Sequence, residues 1–255
     1  PFKLTEAQLA AKLLADKIDF SLSVGAFVDK ELIGFILHGF AIINNEKVIY
    51  NGGTGVIPDK RGFGLTKQMY QFILPLLIEK NINTLKLEVI TENIQAIKSY
   101  EKSGYKTKTK LVCYKGEAKI ATTNNDITIR ALQPYNWEIM QSFWNSSPTW
   151  QNARHVLNTL QQHNIALGAY SNAKLIGYVI FNPTNNRIQQ IAVAPSSRRK
   201  GIASTLLYEI VKTYGQTLSI INIDKQAKDM TLFFENIGLQ KNLEQLDMEL
   251  NLDTL

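Results

Sequence analysis

Apolar residues alternate with small and polar ones in two long stretches, and each predicts a pair of strands. VGAFVDKELIGFILHGF, from Val24, breaks its alternation at Asp29-Lys30; LGAYSNAKLIGYVIF, from Leu167, breaks it at Ser171-Asn172. Each break is a polar turn between two antiparallel strands. A third strand follows in each case, Lys47 to Val56 and Arg187 to Val193, ending at a Pro and a basic, Gly-containing loop. The period then changes to helical. LTKQMYQFILPLLIEK and IASTLLYEIVKTYG carry apolar residues three and four apart, so both predict amphipathic helices. The alternating runs TLKLEVI and TLSIINI come next. Strand, helix and strand in that order make a crossover, and the two strands it joins should be parallel. A last helix and two strands are expected to close each pattern.

The pattern therefore occurs twice. Val24-Gly25-Ala26-Phe27 and Leu32-Ile33-Gly34-Phe35 return, at the same separation, as Leu167-Gly168-Ala169-Tyr170 and Leu175-Ile176-Gly177-Tyr178. Pro58 and Arg61 return as Pro195 and Arg198, and Tyr100-Glu101-Lys102-Ser103-Gly104-Tyr105 as Phe234-Glu235-Asn236-Ile237-Gly238-Leu239. Three blocks in one order mean two copies of a single α/β domain. The expected division is 1–120 and 121–255, with the polar segment ATTNND, Ala121 to Asp126, as linker. The strand ITIRAL and the helix near Trp137 in the second copy have no counterpart in the first. With no initiator Met, the expectation is a first copy that has lost residues upstream.

Composition narrows the function classes. The 255 residues are 45% hydrophobic and 20% charged, values of a globular chain and not of a disordered one. No apolar run reaches the roughly 20 residues that span a bilayer, and the start shows no secretory pattern. Cys113 is the one cysteine, which excludes an internal disulfide, and His38, His155 and His163 have no ligand spacing. A reduced, cytoplasmic, metal-free protein is expected. The net charge is +6, with the excess mainly on Lys106, Lys108, Lys110, Lys115 and Lys119. Alternating lysines read as the solvent face of a strand, where they also discourage edge pairing. With no zinc finger and no aromatic-basic interleave, they argue against a nucleic-acid partner.

A glycine loop between strand and helix is a phosphate-binding arrangement, because glycine lets backbone amides approach and the helix start adds positive potential. The spacing fits neither the dinucleotide fingerprint nor the P-loop. Both copies place an Arg three residues after a Pro and a Gly three residues after that Arg. With this pattern the chain resembles a two-copy member of the GNAT acyltransferase superfamily, whose signature is [RQ]-x-x-G-x-[GA] after a strand ending V-x-P. Arg198-Arg199-Lys200-Gly201-Ile202-Ala203 fits it; Arg61-Gly62-Phe63-Gly64-Leu65-Thr66 departs only at Thr66. The family's second block, N-x-x-A-x-x-x-Y-x-x-x-G-[FY], is complete in Asn93, Ala96, Tyr100, Gly104 and Tyr105. Its second copy has Ala227, Met230 and Phe234 where Asn, Ala and Tyr would stand.

The resemblance implies two mixed, mostly antiparallel sheets, each with a splayed parallel pair at its centre and flanking helices. It implies acetyl-CoA or another acyl-CoA as donor, an amine acceptor and no metal. The amides of Gly62 to Thr66 and of Arg199 to Ser204 would cradle the pyrophosphate, with charge from Arg61, Arg198, Arg199 and Lys200. The N–H near Val56 or Val193 would meet the developing oxyanion. Tyr100 would protonate the departing thiolate, a role Phe234 cannot fill. Plainer readings stand beside these: Tyr100 as a core aromatic, Asn93 as a helix cap, Glu88 as the partner of a lysine in place of a general base, and the tryptophans as core. A chain that binds CoA without chemistry, or a structural protein, is the alternative class.

Overall fold

The computed structural model describes residues 4–121 and 123–254. It divides into two compact units, Pro1–Lys110 with Gln245–Leu255, and Leu111–Glu244. In the first unit a capped helix, α1 (Glu6–Ala15), leads into β1 (Val24–Val28), β2 (Glu31–Ile43) and β3 (Glu46–Val56). Helix α2 (Leu65–Glu79) then crosses to β4 (Thr84–Ile90), and α3 (Ile94–Lys102) follows. A single strand, β5 (Lys106–Glu117), closes the first repeat where two strands are expected from the sequence. The second repeat runs β6 (Thr128–Ala131), α4 (Trp137–Gln141), α5 (Arg154–Thr159), β7 (Ile165–Ser171), β8 (Lys174–Asn182), β9 (Arg187–Val193), α6 (Ile202–Tyr214), β10 (Thr217–Asp224) and α7 (Lys228–Asn236). It too ends in one long strand, β11 (Gln240–Asn251).

The expected boundary at 120/121 meets a finding the sequence did not suggest. β4 takes as antiparallel neighbour the closing strand of the second repeat, with Glu88 opposite Asp247 and Thr84 opposite Asn251. β10 takes the closing strand of the first, with Thr217 opposite Glu117 and Asp224 opposite Leu111. The lysine-bearing β5 is therefore a paired strand over Leu111–Glu117, and its charges do not guard an open edge there. Lys108 instead faces Glu249 at 3.6 Å.

Within each unit the parallel pair is short. β3 and β4 are in register only from Val48–Thr84 to Tyr50–Lys86, and β9 and β10 only at Arg187–Ser219 and Ile188–Ile220. Beyond those residues the strands part, leaving a fork at their carboxyl ends. Side chains on one face of the first unit's sheet, among them Ile36, Ile49, Leu85 and Leu87, pack under α2 and α3. In the second unit Val179, Phe181, Ile188 and Leu206 pack on the α6 and α7 side, while Tyr178 and Ile180 face α4 and α5. Each such fully buried side chain stabilises by about 1.5–3 kcal/mol. The repeated Leu-Ile-Gly block has a packing reason: a Cβ on Gly34 would come within 2.9 Å of Leu65, and one on Gly177 within 2.9 Å of Ile202. Glycine lets the first turn of each crossover helix sit on the neighbouring strand.

Candidate active site

Both phosphate-type loops have the same backbone. A one-turn 3-10 helix begins at Pro58 or Pro195, and the crossover helix is capped by a glycine in the left-handed region, Gly64 at φ +75° and Gly201 at φ +75°. A second left-handed position precedes each, Gly62 at φ +83° and Arg199 at φ +60°. Glycine adopts this conformation freely; an arginine there is strained. The signature arginine has a local role in both copies. Arg61 Nε donates to the Val56 carbonyl at 2.9 Å, and Arg198 Nε to the Val193 carbonyl at 3.1 Å, tying the loop to the end of the strand.

The surroundings of the two loops differ. Arg61, Gly62, Phe63 and Gly64 are exposed, and a Cβ built on either glycine meets nothing within 4 Å. This open cradle fits a phosphate that approaches backbone amides, with Leu65 and Thr66 opening the helix behind it. In the second unit Arg198 also donates to Asn145 Oδ1 and the Phe143 carbonyl, each at 2.9 Å. Arg199 pairs with Asp229 at 2.8 Å, and Lys200 Nζ reaches the Ser196 carbonyl. The linker residue Asn124 lies against Gly201, donating to the Lys200 carbonyl and to Thr205 Oγ1. Ile202 is buried, and Ala203 and Ser204 are half-buried.

The forks differ more. Strand β3 carries an irregularity opposite Leu37/His38, where Gly52 has no register partner. The extra residue reverses the alternation, so Asn51 and Thr54, three apart, face the same side. That side holds Tyr70 on α2, Tyr100 on α3, and Tyr105. Asn51 Nδ2 donates to Tyr70 Oη and to Thr54 Oγ1, both at 2.8 Å; Tyr70 and Tyr105 share a hydroxyl contact at 3.1 Å. Tyr100 is 9% exposed, and its ring meets that of Tyr105 edge to face with centroids 5.8 Å apart. Burial pushes the Tyr100 phenol above its ordinary pKa, against a smaller downward pull from the polar groups of Thr54 and Asn51. Tyr70 is pushed well up by burial, and Tyr105 likewise. Aligning the repeats through their matched blocks sets Asn51, Thr54, Tyr70, Tyr100 and Tyr105 against Ile188, Ile191, Leu207, Phe234 and Leu239. All five replacements are apolar and belong to one core cluster. His38 is likewise matched by Phe181.

Of the remaining sequence candidates, Asn93 caps α3, accepting from Ala96 N at 3.2 Å. Glu88 does not join Tyr100. It lies on the opposite sheet face, where Glu88 Oε2 accepts from Tyr50 Oη at 2.5 Å. Tyr50 is pushed far above its ordinary pKa by burial and by the negative charge of Glu88. Trp137 and Trp144 meet edge to face and spend their indole N–H groups on Asn158 and Tyr178, while Trp150 is buried. No group of His, Cys, Asp and Glu among the described residues is placed to hold a metal ion. No described helix is long and apolar enough to cross a membrane. The residues missed from sequence, Asn51, Thr54 and Tyr70, had one signal: each is polar where the aligned second copy is aliphatic.

A splayed parallel pair with a glycine-capped crossover helix at its carboxyl end occurs in both units, and a tyrosine at the fork in the first. The Acetyltransferase (GNAT) family matches residues 3–105 and 129–236, and the chain belongs to that family. Solved structures share the fold. One is a GCN5-related N-acetyltransferase from Sphaerobacter thermophilus, 16% identical with TM-score 0.67, the match covering 90% of this chain and 80% of that one. Another is a tandem GNAT protein of the clavulanic acid biosynthesis pathway, 10% identical with TM-score 0.67, covering 90% and 82%. A third, from Kribbella flavida, is 10% identical with TM-score 0.65, covering 95% and 92%. No curated protein matches the chain.

Proposed function

We propose that the protein is an N-acyltransferase that moves an acetyl group from acetyl-CoA directly to an amine, and that the first unit carries the chemistry. The observation behind this is the polar fork of Asn51, Thr54, Tyr70, Tyr100 and Tyr105, replaced by five apolar side chains in the second unit. The amides from Gly62 to Thr66 would hold the pyrophosphate, with Arg61 holding the loop to Val56. Acetyl-CoA, when bound, supplies the thioester. The acceptor nitrogen, neutral, forms the new C–N bond as the C–S bond breaks. The Val56 N–H is assigned to the carbonyl oxygen, whose charge grows in that step. Tyr100 gives its proton to the departing sulfur, and Glu88 is the candidate to take the proton the amine loses, through Tyr50 or solvent. The second unit is the retained scaffold, and a single buried cysteine suits a reducing cytoplasm.

Thiol release from acetyl-CoA, followed across a panel of small amines, aminoglycosides, amino acids and peptides, identifies the acceptor class. With the best acceptor, Tyr100→Phe should lower turnover by about 10²–10⁴-fold, while acetyl-CoA affinity stays nearly unchanged. No thiol release with any amine, together with saturable acetyl-CoA binding, would instead make this a binding protein.

A further inference from the structure

We propose that Tyr50 is a positioning residue for Glu88, fixing its carboxylate at the fork and holding it ionised as the acceptor of the amine's proton. This rests on the assignment of the chemistry to the first unit and of the base to Glu88. The geometry begins where the parallel ladder stops. Tyr50 is the last residue of β3 in register with β4, opposite Lys86. Glu88 lies two residues further along β4, where the strands have parted. Tyr50 Oη donates to Glu88 Oε2 at 2.5 Å, so the bond spans the fork at its origin, on the sheet face away from Tyr100. Tyr50 is buried and Glu88 half-buried, so the phenol is held by the core while the carboxylate stays partly accessible.

Electrostatics gives the bond its purpose. Asp247 on β11 stands directly opposite Glu88. Asp16, the C-cap of α1, lies beside Gly52, where a Cβ would come within 3.0 Å of Asp16 Oδ2. Lys12 pairs with Asp16, while Lys86 and Lys108 face Glu249 at 3.5 and 3.6 Å. Negative neighbours favour a protonated Glu88, yet a base must be ionised to act. A phenol donating to the carboxylate favours the charged form and fixes its direction. Burial, then the charge of Glu88, pushes the Tyr50 phenol far above its ordinary pKa, so it keeps its proton. Of the two routes open to the amine's proton, through Tyr50 or solvent, the bond selects solvent. The amine nitrogen forms the C–N bond with its lone pair, and its proton passes through water to the Glu88 carboxylate. The second copy lacks both groups: aligned through the same blocks and the parallel register, Tyr50 and Glu88 fall on Arg187 and Ile221. The donor and the carboxylate are present together in one copy and absent together in the other.

The test is the pH profile of kcat for the full chain, with acetyl-CoA and the panel amine that releases thiol fastest. Parent, Tyr50→Phe, Glu88→Gln and the double variant are compared, with thermal unfolding measured on each. Losing a hydrogen bond to a charged oxygen should displace the acid limb of Tyr50→Phe upward by about one to two pH units. Below that limb the variant should run about 10- to 100-fold slower than the parent; at high pH, where Glu88 ionises unaided, the two should converge. KM for acetyl-CoA should change little. The amine is the same in every assay, so a displacement between profiles belongs to the enzyme. In the Glu88→Gln background Tyr50→Phe should cost nothing further. An acid limb left in place, a loss equal at every pH, or equal losses in both backgrounds would overturn the proposal; with Tyr100→Phe still impaired, the assignment to the first unit stands. Full activity of Tyr100→Phe, or no thiol release with any amine, would overturn both. Should Tyr50→Phe lower the folded population, Glu88→Asp decides: it keeps the carboxylate but withdraws it from Tyr50, and its limb should move upward in the same way.

Discussion

His38 shows how one side chain couples this interior to pH. It lies wholly buried on β2, with Nδ1 2.7 Å from the Leu22 carbonyl, so that nitrogen carries the proton and the ring is neutral. Burial lowers its pKa from 6.5 to about 4, against a smaller upward pull from the Leu22 bond. Between those values the unfolded chain takes up a proton that the folded chain refuses. Stability is therefore fully present above about pH 6.5 and falls as the pH drops toward 4, by up to roughly 3 kcal/mol. Phe181 occupies the matching place in the second unit, so His38→Phe is a substitution the fold already accommodates. Urea unfolding at pH 7 and pH 4.5 should show a smaller acid loss in that variant than in the parent. An identical loss in both would mean that other groups set the acid sensitivity.

At the scale of elements, α3 and α7 are the same helix put to different uses. Phe234 on α7 is fully buried, near Tyr114 with ring centroids 6.0 Å apart, and fills the fork that Tyr100 lines with a hydroxyl in the other copy. Phe234→Ala should cost about 3–5 kcal/mol of stability, read by denaturant unfolding, and leave kcat unchanged where the protein is folded. Loss of turnover without loss of stability would point to chemistry in the second unit. These elements were legible in the sequence because each carries its own period. Alternation marked β1 to β3 and β7 to β9, and three- and four-residue spacing marked α2 and α6. The exchange of closing strands was not legible, since nothing local in β5 or β11 says which neighbour each will meet. The site was half legible. The glycine cap and Tyr100 stand in motifs, but Asn51 and Thr54 share a face only because of an irregularity in β3 that periodicity cannot reveal. Arg198 reads as a phosphate ligand in sequence; the structure adds that three of its donors reach Val193, Phe143 and Asn145, a local role the motif does not disclose.

For the whole molecule, two copies of one fold do not make two equal sites. The first unit has exposed loop glycines and a polar fork; the second has a loop against its own linker and an apolar fork. One acetyl-CoA per chain is the consequence, and a calorimetric titration tests it without knowledge of the acceptor. Gly64→Val places a branched residue at φ +75°, at a cost of about 1–2 kcal/mol, and puts bulk where the amides must be approached. Gly201→Val strains the second loop in the same way and brings its Cβ into contact with Asn124 at 3.6 Å. The account predicts a stoichiometry of one, abolished by Gly64→Val in a chain that still unfolds cooperatively and retained in Gly201→Val. A stoichiometry of two, or binding lost only in Gly201→Val, would contradict it.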